Sequence, residues 1–269
     1  MRKLLCAAFA ALFAVGSAEA IINGEPDGNR HPYVAAIGFI DAATGRPGAF
    51  CTGTLISPTV IVTAGHCTFP SSRAVVWFDS TWNPRKPPAA FGRPVTHPDF
   101  NPERVTPNTG DLGVVLLTRP VEMATYGVLP SEGYLDRKKG RGGDDEDDDG
   151  DDDDVSRDRR QHEVSIVGYG VQSLPPVQSG ERMLGRTKIK SVTSKVVRGY
   201  GVKTAGAKGK KGSGMCLGDS GGPLLEGDSN LVLAVHSFGD VDTCLGANFA
   251  YRTDTPAARA FLGQFVTLP

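Results

Sequence analysis

Short runs of β-branched and aliphatic residues, each bounded by turn residues, recur along most of this 269-residue chain. The pattern is typical of β-strands, and no regular alternation of strands with long helices accompanies it, which argues against a parallel α/β sheet. With 34 glycines and 19 prolines, the chain is also rich in turn formers. We therefore predict an all-β protein. The predicted strands are residues 34–39, 60–63, 75–78, 112–117, 164–169, 184–190 and 231–238.

The C-terminal segment is the one place where the sequence predicts a helix. Thr255 is a suitable N-cap, and Pro256 suits the first helical position. Ala257, Phe261 and Phe265 then recur every four residues, which places them on one face. We expect this helix to pack on the β-structure as a lid.

The N-terminus has the pattern of a secretory signal peptide. Arg2 and Lys3 precede an apolar stretch at residues 4–15, and Ala18-Glu19-Ala20 places small residues at the two positions that signal peptidase reads. We predict a signal peptide over residues 1–20, cleaved after Ala20, and secretion to the extracellular space or the periplasm. No apolar run reaches the roughly 18 residues of a membrane span, so we expect no membrane partner.

The nearly neutral charge of the chain hides an uneven distribution. Ten of the 30 acidic residues lie within residues 144–154, which leaves 29 basic residues against 20 acidic ones elsewhere. We predict a mildly basic body with an acidic, disordered insertion at about 140–160. Asp145, Asp147 and Asp149 match the start of a calcium-binding loop, but Ser156 stands where its closing Glu is needed. The segment is therefore interpreted as a solvated loop.

Removal of the signal peptide leaves an even number of cysteines, namely Cys51, Cys67, Cys216 and Cys244. In an exported protein this number indicates two disulfides, although four cysteines allow three pairings. A zinc site is the competing interpretation. It lacks the Cys-x-x-Cys spacing or His pair that would support it.

Three segments carry candidate chemistry. Residues 63–67 read Thr-Ala-Gly-His-Cys, residues 111–117 begin with Asp111, and residues 218–223 read Gly-Asp-Ser-Gly-Gly-Pro. A serine hydroxyl is a poor nucleophile unless a base accepts its proton, and the pKa of His suits that task. A buried Asp fixes the tautomer of the His and stabilises its cation. Ser220, His66 and Asp111 are therefore residues of the types that a hydrolase with a serine nucleophile needs.

Residues 218–222 also fit the Gly-x-Ser-x-Gly turn of α/β-hydrolases, which leaves an esterase as an alternative. That turn opens a helix and is followed along the chain by an acid and then the His. Here Gly222 and Pro223 oppose a helix after Ser220. The only histidine after Ser220 is His236, sixteen residues further on. This distance is too short for the strands that an α/β-hydrolase places between its Ser and its His.

The three segments and their order resemble those of the chymotrypsin-like (trypsin-fold) serine endopeptidases. The resemblance implies two packed antiparallel six-stranded β-barrels with a C-terminal α-helix, at about 21–125 and 160–255, within one protease domain at 21–269. It implies a cleft between the barrels where peptide or protein substrates bind, and no metal or organic cofactor. We expect a monomer that a protein inhibitor can block and that has no nucleic-acid partner.

The same resemblance assigns roles to residues around the triad. The backbone N–H groups of Gly218 and Ser220 would form the oxyanion hole. Disulfides would join Cys51 to Cys67 and Cys216 to Cys244. Cleavage after Ala20 would expose Ile21, whose new ammonium group would insert beside Asp219 and order the site, so signal peptidase itself would generate the active terminus.

The resemblance also suggests a substrate pocket. Gly214 would lie at its base, where a trypsin carries Asp, so cleavage after Lys or Arg is not expected. Ser237, Phe238 and Gly239 would pair with the substrate backbone, and Gly239 would leave the entrance open for a large side chain. His236 lines the wall, as in acid-specific relatives. We expect an apolar residue or Glu before the scissile bond.

A non-catalytic binding protein on the same fold is the opposing hypothesis, because a fold does not dictate a function. Its basic body would hold polyanions. The complete set of His66, Asp111 and Ser220 argues against it, since a protein that has lost catalysis has no need of all three.

Overall fold

The computed structural model describes residues 21–104, 106–139, 163–171, 180–207, 212–239 and 243–269. The predicted signal peptide and the predicted acidic insertion lie outside these ranges. In chain order the elements are β1 (Glu25–Pro26), β2 (Val34–Asp41), β3 (Pro47–Ser57), β4 (Val60–Thr63), α1 (Gly65–Thr68), β5 (Ser71–Trp77), β6 (Ala90–Thr96), β7 (Gly113–Leu117), α2 (Tyr134–Lys139), β8 (Glu163–Gly168), β9 (Met183–Ser191), β10 (Gly201–Thr204), β11 (Pro223–Glu226), β12 (Val232–Gly239), β13 (Asn248–Arg252) and α3 (Pro256–Leu262).

The first barrel contains six antiparallel strands, closed in the order β2-β3-β4-β7-β6-β5. Its β4 strand is buried along its whole length, and Ile61 and Val62 are fully inaccessible to solvent. Ile61 pairs with Val115 of β7, so aliphatic side chains from neighbouring strands fill the interior. Burying such side chains is the main force that closes a barrel of this size.

The second barrel also closes with six antiparallel strands, in the order β8-β9-β10-β13-β12-β11, because β8 pairs with both β9 and β11. The two-residue β1 adds to the free side of β9. Ile166, Met183, Leu224 and Leu233 form its buried centre. The predicted all-β class with two packed barrels is therefore confirmed.

The two barrels share one apolar interface. Residues of the second barrel, among them Val167 and Leu225, belong to the same buried cluster as the core of the first. The Thr52 N–H in β3 donates to the Ser220 carbonyl at 2.8 Å, which ties the turn before β11 to the first barrel. Residues on both sides of this junction therefore face a common cleft.

The predicted C-terminal helix is confirmed. The Thr255 side chain accepts a hydrogen bond from the Ala258 N–H, and Pro256 starts α3. The helix ends at Leu262, one turn before the predicted Phe265. The expectation of a single helix is wrong, because α1 and α2 are also helical and are too short to show a periodic pattern. None of the described helices is long and apolar enough to cross a membrane.

Candidate active site

His66 lies in α1, directly after the buried strand β4, and its side chain is 37% exposed. Asp111 lies just before β7, the strand that pairs with β4, and its side chain is 5% exposed. The pairing of these strands brings the two residues together. The Asp111 carboxylate accepts from the His66 N–H at 2.7 Å and lies 2.9 Å from His66 Nδ1.

This contact sets the charge and the tautomer of the imidazole. Burial lowers the pKa of His66, but the hydrogen bond to Asp111 and the negative charge of that residue outweigh it, so the net shift is upward. Because the carboxylate is an acceptor only, Nδ1 must carry the proton in the neutral ring. The other nitrogen, Nε2, is then left as a base.

Asp111 has a third contact that the sequence analysis did not predict. Ser237 Oγ in β12 donates to Asp111 Oδ2 at 2.5 Å. This hydrogen bond joins the second barrel to the acid of the first. No local sequence signal distinguishes Ser237 for this role, because 126 residues separate it from Asp111.

Ser220 lies on a tight turn that ends where β11 begins. Gly221 has a φ of 78°, and a Cβ there would come within 2.0 Å of Thr63 Oγ1, so glycine is required both by conformation and by space. The Gly221 N–H donates to the His236 carbonyl at 2.8 Å. Pro223 begins a strand and not a helix, and this strand pairs antiparallel with both its neighbours, so the chain does not have the α/β-hydrolase fold on which the esterase alternative rested.

Ser220 and His66 line one cavity of about 220 Å³. No hydrogen bond joins their side chains in this structure, although both residues are described. The N–H groups of Gly218 and Ser220 likewise donate to no acceptor among the described residues. Hydrogen bonds between catalytic groups are often long in unliganded proteins and shorten when substrate binds.

Both predicted disulfides are present. Cys51 of β3 is joined to Cys67 of α1, which holds the His66 turn against the first barrel. Cys216 is joined to Cys244, and both residues line the cavity beside Ser220. Cys51, His66 and Cys67 lie close enough to suggest a metal site. The two cysteines are bonded to each other, however, so they offer no thiolate ligands.

Ile21 and Asp219 are both fully buried. The Ile22 N–H donates to the Gly214 carbonyl at 2.9 Å, which holds the N-terminal segment against the second barrel. The Asp219 carboxylate accepts from the N–H groups of Gly170 and Cys216 at 2.8 and 2.9 Å. Burial raises the pKa of Asp219 to about 7, because these two amides only partly offset the loss of water.

The predicted pocket residues His236, Ser237, Phe238 and Gly239 all line the cavity. Gly214 does not belong to its described wall. It lies against Ile22 and near the Cys244 carbonyl.

Asn248 also lines the cavity, and the sequence analysis missed it. Its Oδ1 lies 2.8 Å from the position that a Cβ on Gly239 would take. The entrance that Gly239 leaves open is therefore partly filled by Asn248. Only the pairing of β12 with β13 reveals this neighbour.

Comparisons with known proteins agree with this architecture. The trypsin family model matches residues 21–133 and 151–260, so the chain belongs to the trypsin family. No curated protein matches the sequence. Among solved structures, HL collagenase is similar with a TM-score of 0.70 and 20% identity over 91% of this chain and 97% of that one. Human heparin binding protein is similar with a TM-score of 0.62 and 19% identity, over 91% of this chain and 96% of that one.

Proposed function

We propose that the protein is a secreted serine endopeptidase in which Ser220 is the nucleophile, His66 the base and Asp111 its orienting acid. The observation that carries the proposal is the hydrogen bond from His66 Nδ1 to buried Asp111, in a cavity that Ser220 also lines. With the proton held at Nδ1, Nε2 takes the Ser220 proton as the hydroxyl attacks a peptide carbonyl. His66 gives this proton to the leaving amine as the acyl-enzyme forms; it then takes a proton from the attacking water and returns it to Ser220 as the acyl-enzyme is hydrolysed.

The free N–H groups of Gly218 and Ser220 support the chemistry of this step. A tetrahedral intermediate carries a negative oxygen, and two convergent backbone donors stabilise it by roughly 3 kcal/mol each. Both groups lack an acceptor among the described residues, so they are available to a substrate.

Activation through a new N-terminus at Ile21 is part of the proposal. Ile21 is fully buried, and the Ile22 N–H donates to the Gly214 carbonyl at 2.9 Å. A terminus created by cleavage after Ala20 would therefore lie inside the second barrel. The ammonium group that cleavage creates is a suitable partner for Asp219, whose buried carboxylate has no cation beside it among the described residues.

Export and non-tryptic cleavage complete the proposal. Two disulfides are typical of proteins that fold outside the cytosol, which supports secretion. The described wall of the cavity carries no Asp or Glu that would bind a substrate Lys or Arg. We expect peptide substrates, a monomer and sensitivity to protein inhibitors.

Covalent labelling by diisopropyl fluorophosphate tests the function. Labelling at Ser220 is expected in the purified protein and absent in Ser220→Ala, whose peptide hydrolysis falls by about 10⁴-fold or more. Thr54→Val, a change in the first barrel core, is the matched control and keeps the label. Failure of the intact protein to label would refute the proposal.

A polyanion-binding protein is the second candidate, because human heparin binding protein shares the fold and the chain outside residues 144–154 is basic. Retention on a heparin column at 0.15 M salt, without hydrolysis or labelling at Ser220, would favour this candidate over the peptidase.

A further inference from the structure

We propose that the cavity beside Ser220 selects a substrate side chain that ends in an uncharged amide, as in glutamine, and that His236 and Asn248 recognise that amide. The inference rests on the proposed peptidase function for the reaction that follows binding. The recognition itself depends on unpaired polar atoms in the cavity wall.

His236 and Asn248 are buried residues with side-chain nitrogens that have no hydrogen-bond partner among the described residues. His236 is 1% exposed and neither of its ring nitrogens has a partner. Asn248 is 2% exposed and its Nδ2 has none. Seven buried side-chain N or O atoms of the described residues have no hydrogen-bond partner. Three of them belong to His236 and Asn248, which line the same cavity. Buried polar atoms are normally paired, so these nitrogens are the groups of the cavity wall best suited to hydrogen-bond a polar substrate side chain.

The backbone holds both side chains firmly beside the nucleophile. The His236 N–H donates to the Gly222 carbonyl and its own carbonyl accepts from the Gly221 N–H, so His236 is tied to the turn that carries Ser220. Asn248 is on the adjacent strand, two residues before Ala250, which pairs with His236. Both residues therefore lie beside the nucleophile, in the wall of one cavity.

The chemistry of the two residues matches a primary amide. Burial lowers the pKa of His236 to about 3, so its ring is neutral at pH 7 and offers one donor and one acceptor. Asn248 Nδ2 offers further donors. An amide carbonyl accepts from these donors, and an amide NH₂ donates to the bare ring nitrogen. One glutamine side chain therefore satisfies groups that are otherwise unpaired.

Apolar and acidic substrate side chains would bind in this cavity less favourably than glutamine. An apolar side chain leaves the donors unpaired, which penalises it strongly in a buried site. A glutamate brings a negative charge to a cavity whose described wall carries no Lys or Arg. The other titratable groups around the site are His66, Asp111 behind it, and Asp219, which faces the amides of Gly170 and Cys216. None of them supplies a fixed positive charge to the substrate side chain.

A peptide series that differs only in the residue before the cut tests the selectivity. Glutamine should be cleaved with a kcat/KM at least about tenfold above that of methionine, which has the same length but no amide, and above that of glutamate at pH 7.5. Glutamate should improve as the pH falls, because its protonated form resembles the amide. Methionine or glutamate cleaved as well as glutamine would overturn the inference.

Two variants separate recognition from stability. Asn248→Leu should reduce the ratio of glutamine to methionine cleavage by about fivefold or more while the protein stays folded. Thr54→Val also removes a buried unpaired hydroxyl, but it lies in the first barrel and should leave that ratio unchanged. A folded Asn248→Leu protein that keeps the original ratio would contradict the assignment.

A binding measurement distinguishes failure of this inference from failure of the proposed function. Calorimetry on Ser220→Ala should detect acetyl-Ala-Ala-Pro-Gln at least about tenfold more tightly than acetyl-Ala-Ala-Pro-Met. Equal binding, with intact labelling of Ser220 in the parent protein, would refute only the amide pocket. Selective binding without labelling would support the pocket and refute the peptidase.

Discussion

Two fully buried carboxylates, Asp27 and Asp219, have opposite electrostatic surroundings. Asp27 accepts from Arg182 Nε at 2.9 Å and from the His31 N–H, and Nδ1 of His31 is also in contact. Burial raises its pKa, but these contacts outweigh burial and lower it to about 2. Asp219 has two amide donors and, among the described residues, no cation, and burial raises its pKa to about 7. The charge of Asp27 is balanced by a cation within the folded chain. The proposed partner of Asp219 is the ammonium group of a new N-terminus.

The largest expected effect is a loss of stability when Asp27 loses its ion-pair partner Arg182. Arg182→Met leaves that carboxylate without its cation and also removes donors to the Val34 and Phe78 carbonyls. The free energy of unfolding should fall by about 3–5 kcal/mol, as when one partner of a buried ion pair is removed. Urea denaturation measures this change.

An exposed ion pair is the control for that experiment. Glu25 contacts Arg30 with side chains 62% and 46% exposed, and Glu25→Gln should change the free energy of unfolding by less than about 1 kcal/mol. A similarly small loss in Arg182→Met would mean that the Asp27 cluster contributes little to stability.

The two carboxylates should also give pH dependences of opposite sign. Because the pKa of Asp219 is raised from 3.8 to about 7, its contribution to stability is present below about pH 4 and is lost as the pH rises to 7. Because the pKa of Asp27 is lowered from 3.8 to about 2, its contribution is present above pH 4 and is lost as the pH falls to 2. At about 1.4 kcal/mol per pKa unit, the effect should be at most about 4 kcal/mol for Asp219 and about 2 kcal/mol for Asp27.

A chain with Ser220→Ala and one methionine ahead of Ile21 isolates these effects, because it lacks the Ile21 ammonium group. In that chain, Asp219→Asn should remove the loss of stability between pH 4 and 7, and Asp27→Asn the loss below pH 4, both measured by urea denaturation. The chain that begins at Ile21 should show a smaller loss between pH 4 and 7. Identical profiles for the two N-termini would contradict the proposed pairing with Asp219.

The sequence predicted the parts of the molecule whose signals are local. Strand β4 coincides with the predicted residues 60–63, because its four residues are all apolar or β-branched and all buried. Strand β3 was not predicted because glycine and threonine interrupt its apolar residues, and β13 was not predicted because only three residues separate Asn248 from Arg252. The predicted triad residues lie in three short motifs that are recognisable together by their order along the chain.

The missed residues depend on partners distant in the chain. Asn248 lines the cavity because of a strand pairing that contains a register shift between His236 and Phe238. Arg182 reaches Asp27 across 155 residues. Neither contact follows from spacing along the sequence. The unpaired Asn248 amide and the Arg182–Asp27 ion pair are therefore recognised only from the three-dimensional structure.

The smallest expected effect concerns Ser237, which relieves part of the charge on Asp111. Ser237→Ala removes the hydrogen bond to Asp111 Oδ2, so the carboxylate acts more strongly on His66 and raises further a pKa that is already elevated. The acid limb of kcat/KM against pH should move to higher pH, and kcat/KM at pH 7.5 should fall about fivefold, since a hydrogen bond contributes about 1 kcal/mol. Ser72→Ala, which removes an exposed hydroxyl bonded to the Ile40 carbonyl, should leave both unchanged. A lower rate with an unmoved acid limb would mean that the Ser237 hydroxyl contributes to substrate binding in the cavity and not through Asp111.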